Sequence, residues 1–146
     1  MVPSIDELRA DLSGRELPGG SLCIERYESL IADHALRAPD ISDSQDPSPH
    51  PLWLVIASLR SMGITVDELR ALARASAEDT LLFGSVAVTH DRPLVTGTTY
   101  VTSAVIDSVD RHRTRAGKVL DSVVVTVRIQ DSGTVTSTYL FLRGDG

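Results

Sequence analysis

A change in sequence pattern after Glu78 limits the possible folds of this chain more than any other feature. Beyond this residue, four stretches are dominated by β-branched and aromatic residues, a composition that favours strands; they are 80–89, 98–109, 119–129 and 134–142. The last two stretches are joined by the tight-turn sequence Gln-Asp-Ser-Gly, and the second and third stretches are joined by a charged segment, 110–118, in which Ala-Gly stands near the end. Both junctions indicate hairpins. We therefore expect an antiparallel sheet.

The N-terminal part of the chain has helical patterns instead. Ser4 and Glu7 have the spacing of a capping box, and apolar residues follow at helical intervals until Gly14. Glycine is a common helix stop. A short first helix is therefore predicted, and the charged residues within it are not expected in a signal peptide.

A second helix is predicted after a Leu-Pro-Gly-Gly turn at 17–20. It places Ile24 and later apolar residues on one face and ends near Asp33 or His34. Several prolines then deny regular structure to residues 39–51, which we expect to form a loop.

The segment 52–62 is apolar nearly all round and is followed by Gly63, which predicts a helix that is buried on most sides. One face of an antiparallel sheet must be packed against another element, and we expect this helix to pack against that face. A further helix is predicted from the capping box of Thr65 and Glu68, and it should end near Ser76.

Composition narrows the classes of function. With 146 residues the chain has the size of one domain, and its net charge of −6 makes nucleic acid an unsuitable partner. Cys23 is the single cysteine, so no intramolecular disulfide can form, which fits a cytoplasmic location. The longest apolar run, 52–57, is too short to span a membrane, and we expect no membrane association.

Several local phrases resemble those of MaoC-like (R)-specific enoyl thioester hydratases and dehydratases. The segment His-Pro-Leu-Trp-Leu-Val-Ile-Ala-Ser-Leu at 50–59 resembles the central helix of that family. Arg-Pro-Leu-Val-Thr-Gly-Thr at 92–98 resembles its Arg-Pro-Leu-x-x-Gly-Asp phrase, and 105–119 resembles the hairpin that follows. The resemblance implies an α+β hotdog fold, in which an antiparallel sheet wraps around a long central helix. We expect 1–146 to form a single such domain, with 1–20 as an N-terminal helical extension.

The resemblance also implies a function in acyl thioester metabolism, on chains carried by coenzyme A or an acyl carrier protein. Members of the family add water to, or remove it from, an enoyl thioester through an Asp-x-Asn-Pro-x-His motif. This motif is missing here, because a match to Asp33 leaves Ala35, Leu36 and Ala38 at its other positions. The chain is therefore expected to be either a hydratase or dehydratase with a rebuilt site, or the substrate-shaping, non-catalytic subunit of one. Whether it is an enzyme stays open.

Other functions remain compatible with this fold. A non-catalytic binding or assembly protein would lack a titratable group in the tunnel beside the central helix. A hotdog thioesterase would use a carboxylate near that helix to activate water. A cyclase of secondary metabolism has no sequence signal of its own.

The candidate catalytic residues are Asp33, His34 and His50. Adjacent side chains on a helix diverge, so Asp33 and His34 cannot easily act as one pair, and a histidine at a helix C-terminus is commonly a favourable dipole contact. His50 precedes the apolar helix and can exchange protons near neutral pH, although a capping role is the commoner one.

The candidate substrate-binding residues are Trp53, at the start of the apolar helix, and three arginines of the basic segment before 119, namely Arg111, Arg113 and Arg115. The guanidinium group of arginine has several N–H donors in one plane, which suits it to bind the phosphates of coenzyme A and phosphopantetheine. More commonly, such a cluster of arginines simply lies in a solvent-exposed turn.

No cofactor is expected, and no metal site, because the four histidines are scattered singly. The expected ligand is an acyl thioester. Hotdog sheets usually bury an open edge against a second copy or a relative, which predicts a homodimer or a heterodimer with a related hotdog chain.

Overall fold

The computed structural model describes residues 2–25, 28 and 53–144. Within the continuous ranges 2–25 and 53–144 the chain forms three helices, namely α1 (Ile5–Leu12), α2 (Trp53–Ser61) and α3 (Val66–Leu72). It also forms five strands there, namely β1 (Glu16–Cys23), β2 (Thr80–His90), β3 (Thr99–Arg113), β4 (Val119–Ile129) and β5 (Gly133–Leu142). The four predicted strands are confirmed, although β3 continues to Arg113, into the segment that was expected to connect it to β4.

The five strands form one antiparallel sheet of order β1-β3-β4-β5-β2. Both predicted hairpins are confirmed, since Arg113 lies opposite Val119 and Ile129 lies opposite Gly133. β2 pairs with β5, so β2 and β3, which are consecutive in sequence, are separated by two strands. Within the described chain, β1 and β2 are therefore the edges of the sheet.

Strand β1 corrects the sequence analysis. A turn was predicted at 17–20 and a helical extension over 1–20, whereas only Ile5–Leu12 is helical and Glu16–Cys23 pairs with β3. The pairing register shifts between Leu17 and Gly20, and Gly19 between them has a φ of 64°. Bulges and sheet edges accommodate proline and glycine, which is why a turn-like sequence can form this strand.

The helix ends follow the predicted signals in part. Thr65 and Glu68 make both hydrogen bonds of the capping box of α3. Ser4 makes no side-chain cap hydrogen bond to α1, although its carbonyl accepts from the Leu8 N–H. α3 ends at Leu72 rather than near Ser76, because Arg74 adopts a left-handed conformation with a φ of 54°.

The helices cover one face of the sheet, which we call the inner face and which carries alternate side chains of β5 from Val135 to Phe141. α2 packs against one half of it, as predicted for the apolar helix, in a cluster of Leu22, Ile24, Trp53, Leu54, Ala57, Leu94, Ile129 and Val135. The other half packs against α1 and α3, in a cluster that includes Leu8, Leu12, Leu69, Ile106, Val123, Tyr139 and Phe141. No helix in the described ranges is long and apolar enough to cross a membrane.

Candidate functional site

The three candidate catalytic residues, Asp33, His34 and His50, lie outside the residues that the structure describes. The same holds for the loop predicted at 39–51 and for most of the second predicted helix, of which only Glu28 is described within a helix. Catalytic roles for these residues therefore stay predictions.

Trp53 is the first described residue of α2, and its side chain is enclosed, with 3% of the residue exposed. The Arg60 guanidinium lies over the indole ring, its Cζ 5.1 Å from the ring centroid. Arg60 also donates to Glu28 at 2.8 Å. This hydrogen bond, together with one from the Glu25 N–H, lowers the pKa of Glu28. Trp53 is thus held between an apolar cluster and an ion pair.

The indole Nε1 of Trp53 is buried and has no hydrogen-bond partner among the described residues. An unpaired buried donor costs about 1–3 kcal/mol, and such groups in a folded protein call for an explanation. A ligand oxygen that entered this cluster would supply the missing acceptor. The predicted role of Trp53 in substrate binding has a physical basis here and remains a prediction.

Strand β2 leaves an apolar strip on the inner face, formed by Phe83, Val86 and Val88, which we call the β2 strip. These residues are 48%, 40% and 43% exposed. They share the inner face because they lie opposite Tyr139, Ser137 and Val135 of β5, and cross-strand partners point to the same side. Since Val135 belongs to the cluster around Trp53, the strip adjoins that cluster.

Arg111, one of the three candidate arginines, is engaged within the protein. Its Nε and Nη2 donate to the two carboxylate oxygens of Asp121 at 2.7 and 2.9 Å, and Nη2 also donates to the Pro3 carbonyl. The hydrogen bond to Asp121 raises the pKa of Arg111. By contrast, Arg113 is exposed and donates only to the Gly117 carbonyl, and Arg115 is exposed without a partner in the described chain. Arg113 and Arg115 therefore have the donors that a phosphate could use.

The Arg111–Asp121 pair belongs to a buried ion network. Arg143, which is 1% exposed, donates to Asp121 at 2.8 Å, to Asp79 at 2.9 Å and to the Ala73 carbonyl. Burial alone would raise the pKa of Asp79, but hydrogen bonds from the Gly144 N–H, Arg143 and the Ser76 N–H outweigh it and lower the pKa to about 2. The network holds the end of α3, the β3–β4 hairpin and the chain after β5 together.

The structure does not bring Trp53 and the candidate arginines together. Arg111 lies opposite Asp121, near one end of β4, whereas Ile129 at the other end belongs to the Trp53 cluster. The distance along β4 between these ends is about 26 Å, at about 3.3 Å per residue. One small ligand cannot contact both groups, whereas an elongated ligand can. Among the described residues, no three His, Cys, Asp or Glu side chains are grouped closely enough to hold a metal ion.

No family model matches the sequence, and the curated proteins contain no significant sequence match. Solved structures do match. The chain is similar to the ChsH1-ChsH2 complex from Mycobacterium tuberculosis, with a TM-score of 0.64 and 11% identity over 97% of this chain and 90% of that chain. It is also similar to a MaoC-like dehydratase, with a TM-score of 0.63 and 17% identity over 94% of this chain and 44% of that one.

A third match is the fluoroacetyl-CoA thioesterase FlK, with a TM-score of 0.54 and 14% identity over 89% of this chain and 85% of that chain. At these identities the likeness concerns the fold, an antiparallel sheet packed around a central helix. The chain has a hotdog fold. This confirms the fold class that the local phrases implied.

Two inner-face residues of this hotdog domain were missed by the sequence analysis as candidates, namely Ser137 and Tyr139 of β5. Both are buried, and neither side-chain hydroxyl makes a hydrogen bond within the described chain. The sequence did contain a signal for them. Side chains alternate between the two faces along β5, so Ser137 and Tyr139 point to the same face as the buried Val135 and Phe141. Likewise, hairpin counting from Arg113 opposite Val119 would have placed Arg111 against Asp121.

Proposed function

We propose that this chain is a MaoC-like hotdog protein of the cytoplasm that binds acyl thioesters of coenzyme A or an acyl carrier protein as one subunit of a two-hotdog assembly. The proposal rests mainly on the fold that this chain shares with the ChsH1-ChsH2 complex, over 97% of this chain and 90% of that one. The MaoC-like phrases at 50–59 and 92–98 add support, and the single cysteine suits a reducing compartment.

The separation of the two candidate binding regions supports an elongated ligand of this kind. The acyl chain lies on the inner face, along the β2 strip and toward Trp53, where apolar side chains surround it. The phosphates lie at the basic hairpin, where Arg113 and Arg115 have free donors, and Arg111 supports the hairpin through its bond to Asp121. A carrier-linked thioester has its apolar chain at one end and its phosphates at the other. This arrangement matches the separation between the apolar inner face and the basic hairpin.

We expect saturable binding of butyryl coenzyme A, and we expect the double variant Arg113→Ala/Arg115→Ala to weaken it about tenfold, because charge-assisted hydrogen bonds to phosphate are lost. Trp53 is the chain's single tryptophan, so its fluorescence reports binding directly. Arg92→Ala, which removes an exposed arginine from another turn, is the matched control and should bind like the wild type. Absence of saturable binding to the wild-type chain would refute the proposed function.

Activity assays on the same protein decide what chemistry accompanies binding. Hydration of crotonyl coenzyme A that is lost in Asp33→Ala, His34→Ala or His50→Ala would assign the chemistry to this chain. Binding without hydration would identify a substrate-shaping subunit. A thioesterase is the second candidate, favoured by the similarity to FlK, and it would release free coenzyme A without hydrating the enoyl chain.

Strand β2 supports the assembly part of the proposal. Its outer backbone edge is unpaired in the described chain, and none of its residues from Thr80 to Thr89 carries a charge. Natural sheets usually protect such edges with charges, prolines or a covering element, since an exposed edge recruits other strands. A second copy, pairing through β2, would cover the edge and would enclose the β2 strip together with the acyl chain bound along it.

We therefore expect the purified chain to be a dimer and the double variant Val86→Lys/Val88→Lys to be monomeric, because two buried ammonium groups in an apolar interface are strongly unfavourable. Analytical ultracentrifugation measures the change. Val101→Lys is the matched control, since Val101 is 61% exposed but lies on β3, and it should leave the dimer intact. A wild-type monomer would refute self-pairing, and a dimer that survived in the β2 variant would place the interface elsewhere.

A further inference from the structure

An open groove lies between the start of β1 and helix α3. Its volume is about 610 Å³. The described residues that line it are Arg15, Glu16, Leu17, Pro18, Ile64, Glu68, Ala71 and Leu72. A volume of this size, with a mostly apolar lining and a few polar groups, is typical of sites that bind small molecules.

The floor of the groove is apolar and firmly held. Leu17 is buried in the cluster that packs against α1 and α3, and Ile64 and Leu72 pack against the same cluster while they remain partly exposed. The Gly19 N–H donates to the Met62 carbonyl, which joins β1 to the end of α2, just before α3. The groove therefore presents a preformed surface to an aliphatic side chain.

Two side chains of opposite charge line the groove without forming an ion pair. Arg15 is exposed, and its guanidinium makes no hydrogen bond or ion pair within the described chain. One carboxylate oxygen of Glu68 accepts the Thr65 N–H in the capping box, and the other has no partner there. By contrast, Arg74, which is also exposed, pairs with two carboxylates of α1. The groove thus keeps a guanidinium and a carboxylate available beside its apolar floor.

These groups complement a molecule that carries a carboxylate, an ammonium group and an apolar side chain. A guanidinium binds a carboxylate through parallel N–H donors, and a carboxylate accepts from an ammonium group. An aliphatic acid would leave Glu68 without a partner and beside the acid's own negative charge. An aliphatic amine would do the same to Arg15. A zwitterion satisfies both side chains at once.

We infer that this groove is a binding site for free amino acids with an aliphatic side chain. Arg15 binds the α-carboxylate, Glu68 binds the α-ammonium group, and Leu17, Ile64 and Leu72 contact the side chain of the ligand. The site goes beyond the proposed function and does not depend on it, because none of these residues takes part in the proposed binding of thioesters.

Titration of the full, isotope-labelled chain with L-leucine, followed by heteronuclear NMR, tests the inference. We expect saturable shifts at the amides of the groove, with a Kd of about 1 mM or below. Three control ligands each lack one group of leucine: 4-methylpentanoate lacks the ammonium group, 3-methylbutylamine lacks the carboxylate, and glycine lacks the side chain. Each should bind at least about tenfold more weakly than leucine.

Arg15→Gln and Glu68→Gln should each weaken the binding of leucine about tenfold, because each removes one charge-assisted interaction. Glutamine can also close a capping box, so the start of α3 is kept in Glu68→Gln. The matched controls are Asp67→Asn and Arg92→Gln, which remove exposed charges that do not line the groove, and both should bind leucine like the wild type. Ala71→Trp, which fills the groove from an exposed position, should abolish binding.

Three results would overturn the inference. The first is the absence of saturable shifts with leucine, and the second is a control ligand that binds as tightly as leucine. The third is unchanged binding in Arg15→Gln, Glu68→Gln and Ala71→Trp, which would place leucine elsewhere. Thermal unfolding of each variant checks that it is folded, and Ala71→Trp tests the site even if a charge variant is unstable. Titration with butyryl coenzyme A tests the proposed function separately.

Discussion

Replacing Arg143 by methionine is expected to lower the free energy of unfolding by about 3–5 kcal/mol, the usual loss when one partner of a buried ion pair is removed. Arg143 is almost fully enclosed and donates to Asp121, Asp79 and a backbone carbonyl. Without its guanidinium, the Asp79 carboxylate and the fully buried Asp121 lose a compensating charge, although Asp121 keeps Arg111. Urea unfolding followed by circular dichroism measures the loss.

Two further variants sharpen this prediction. Arg113→Met removes an exposed arginine that donates only to the Gly117 carbonyl in the described chain, and it should change the free energy of unfolding by no more than about 0.5 kcal/mol. Asp121→Asn combined with Arg143→Met should cost less than the sum of the two single variants, because both remove the same interaction. A loss below about 1 kcal/mol for Arg143→Met would mean that water or a rearrangement replaces the network.

Gly63→Ala is the second substitution with a large expected effect, a loss of at least about 2 kcal/mol. Gly63 follows α2 with a φ of 88°, a conformation that is unfavourable for alanine. A Cβ atom there would lie 2.5 Å from both the backbone N and the backbone O of Gly19. It would therefore push apart the end of α2 and the bulge of β1, which are joined by the hydrogen bond from the Gly19 N–H to the Met62 carbonyl.

Gly117→Ala separates the two causes of this loss. Gly117 has a φ of 79°, but a Cβ atom there meets nothing within 4 Å. It should therefore show only the conformational cost, about 1–2 kcal/mol. The additional loss in Gly63→Ala, measured in the same urea titrations, is the cost of the steric overlap. Equal losses in the two variants would show that the contact between Gly63 and Gly19 is not tight in solution.

The sequence predicted the strands of this fold well because the signal for a strand is local. The alternation along 119–129 and 134–142, with a tight turn between them, is contained in neighbouring residues, and the observed β4 and β5 have almost the same bounds. The capping box of Thr65 and Glu68 is equally local and is present. The apolar segment that became α2 was identifiable for a similar reason, since only a buried helix can be apolar all round.

Candidate site residues were harder to assign from the sequence. Arg111 looks like its neighbours in the basic segment, yet the hairpin register places it against Asp121, whereas Arg113 and Arg115 remain exposed. Ser137 and Tyr139 are ordinary strand residues in sequence, and they become candidates only once β2 is seen to leave its inner face uncovered. Their significance depends on what lies opposite them, which the local pattern does not record.

Local sequence patterns were enough to establish the number and position of the C-terminal strands, the apolar central helix and the resemblance to MaoC-like proteins. Long-range packing was needed to make Glu16–Cys23 a strand, because its Pro-Gly-Gly segment pairs with β3 through a bulge that no local signal requires. The same packing places β2 at the far edge beside β5 and joins Arg143 to Asp79 and Asp121. The physical reason is the same in each case: these are contacts between segments distant in sequence, and local propensity carries no information about which distant segment will supply the partner.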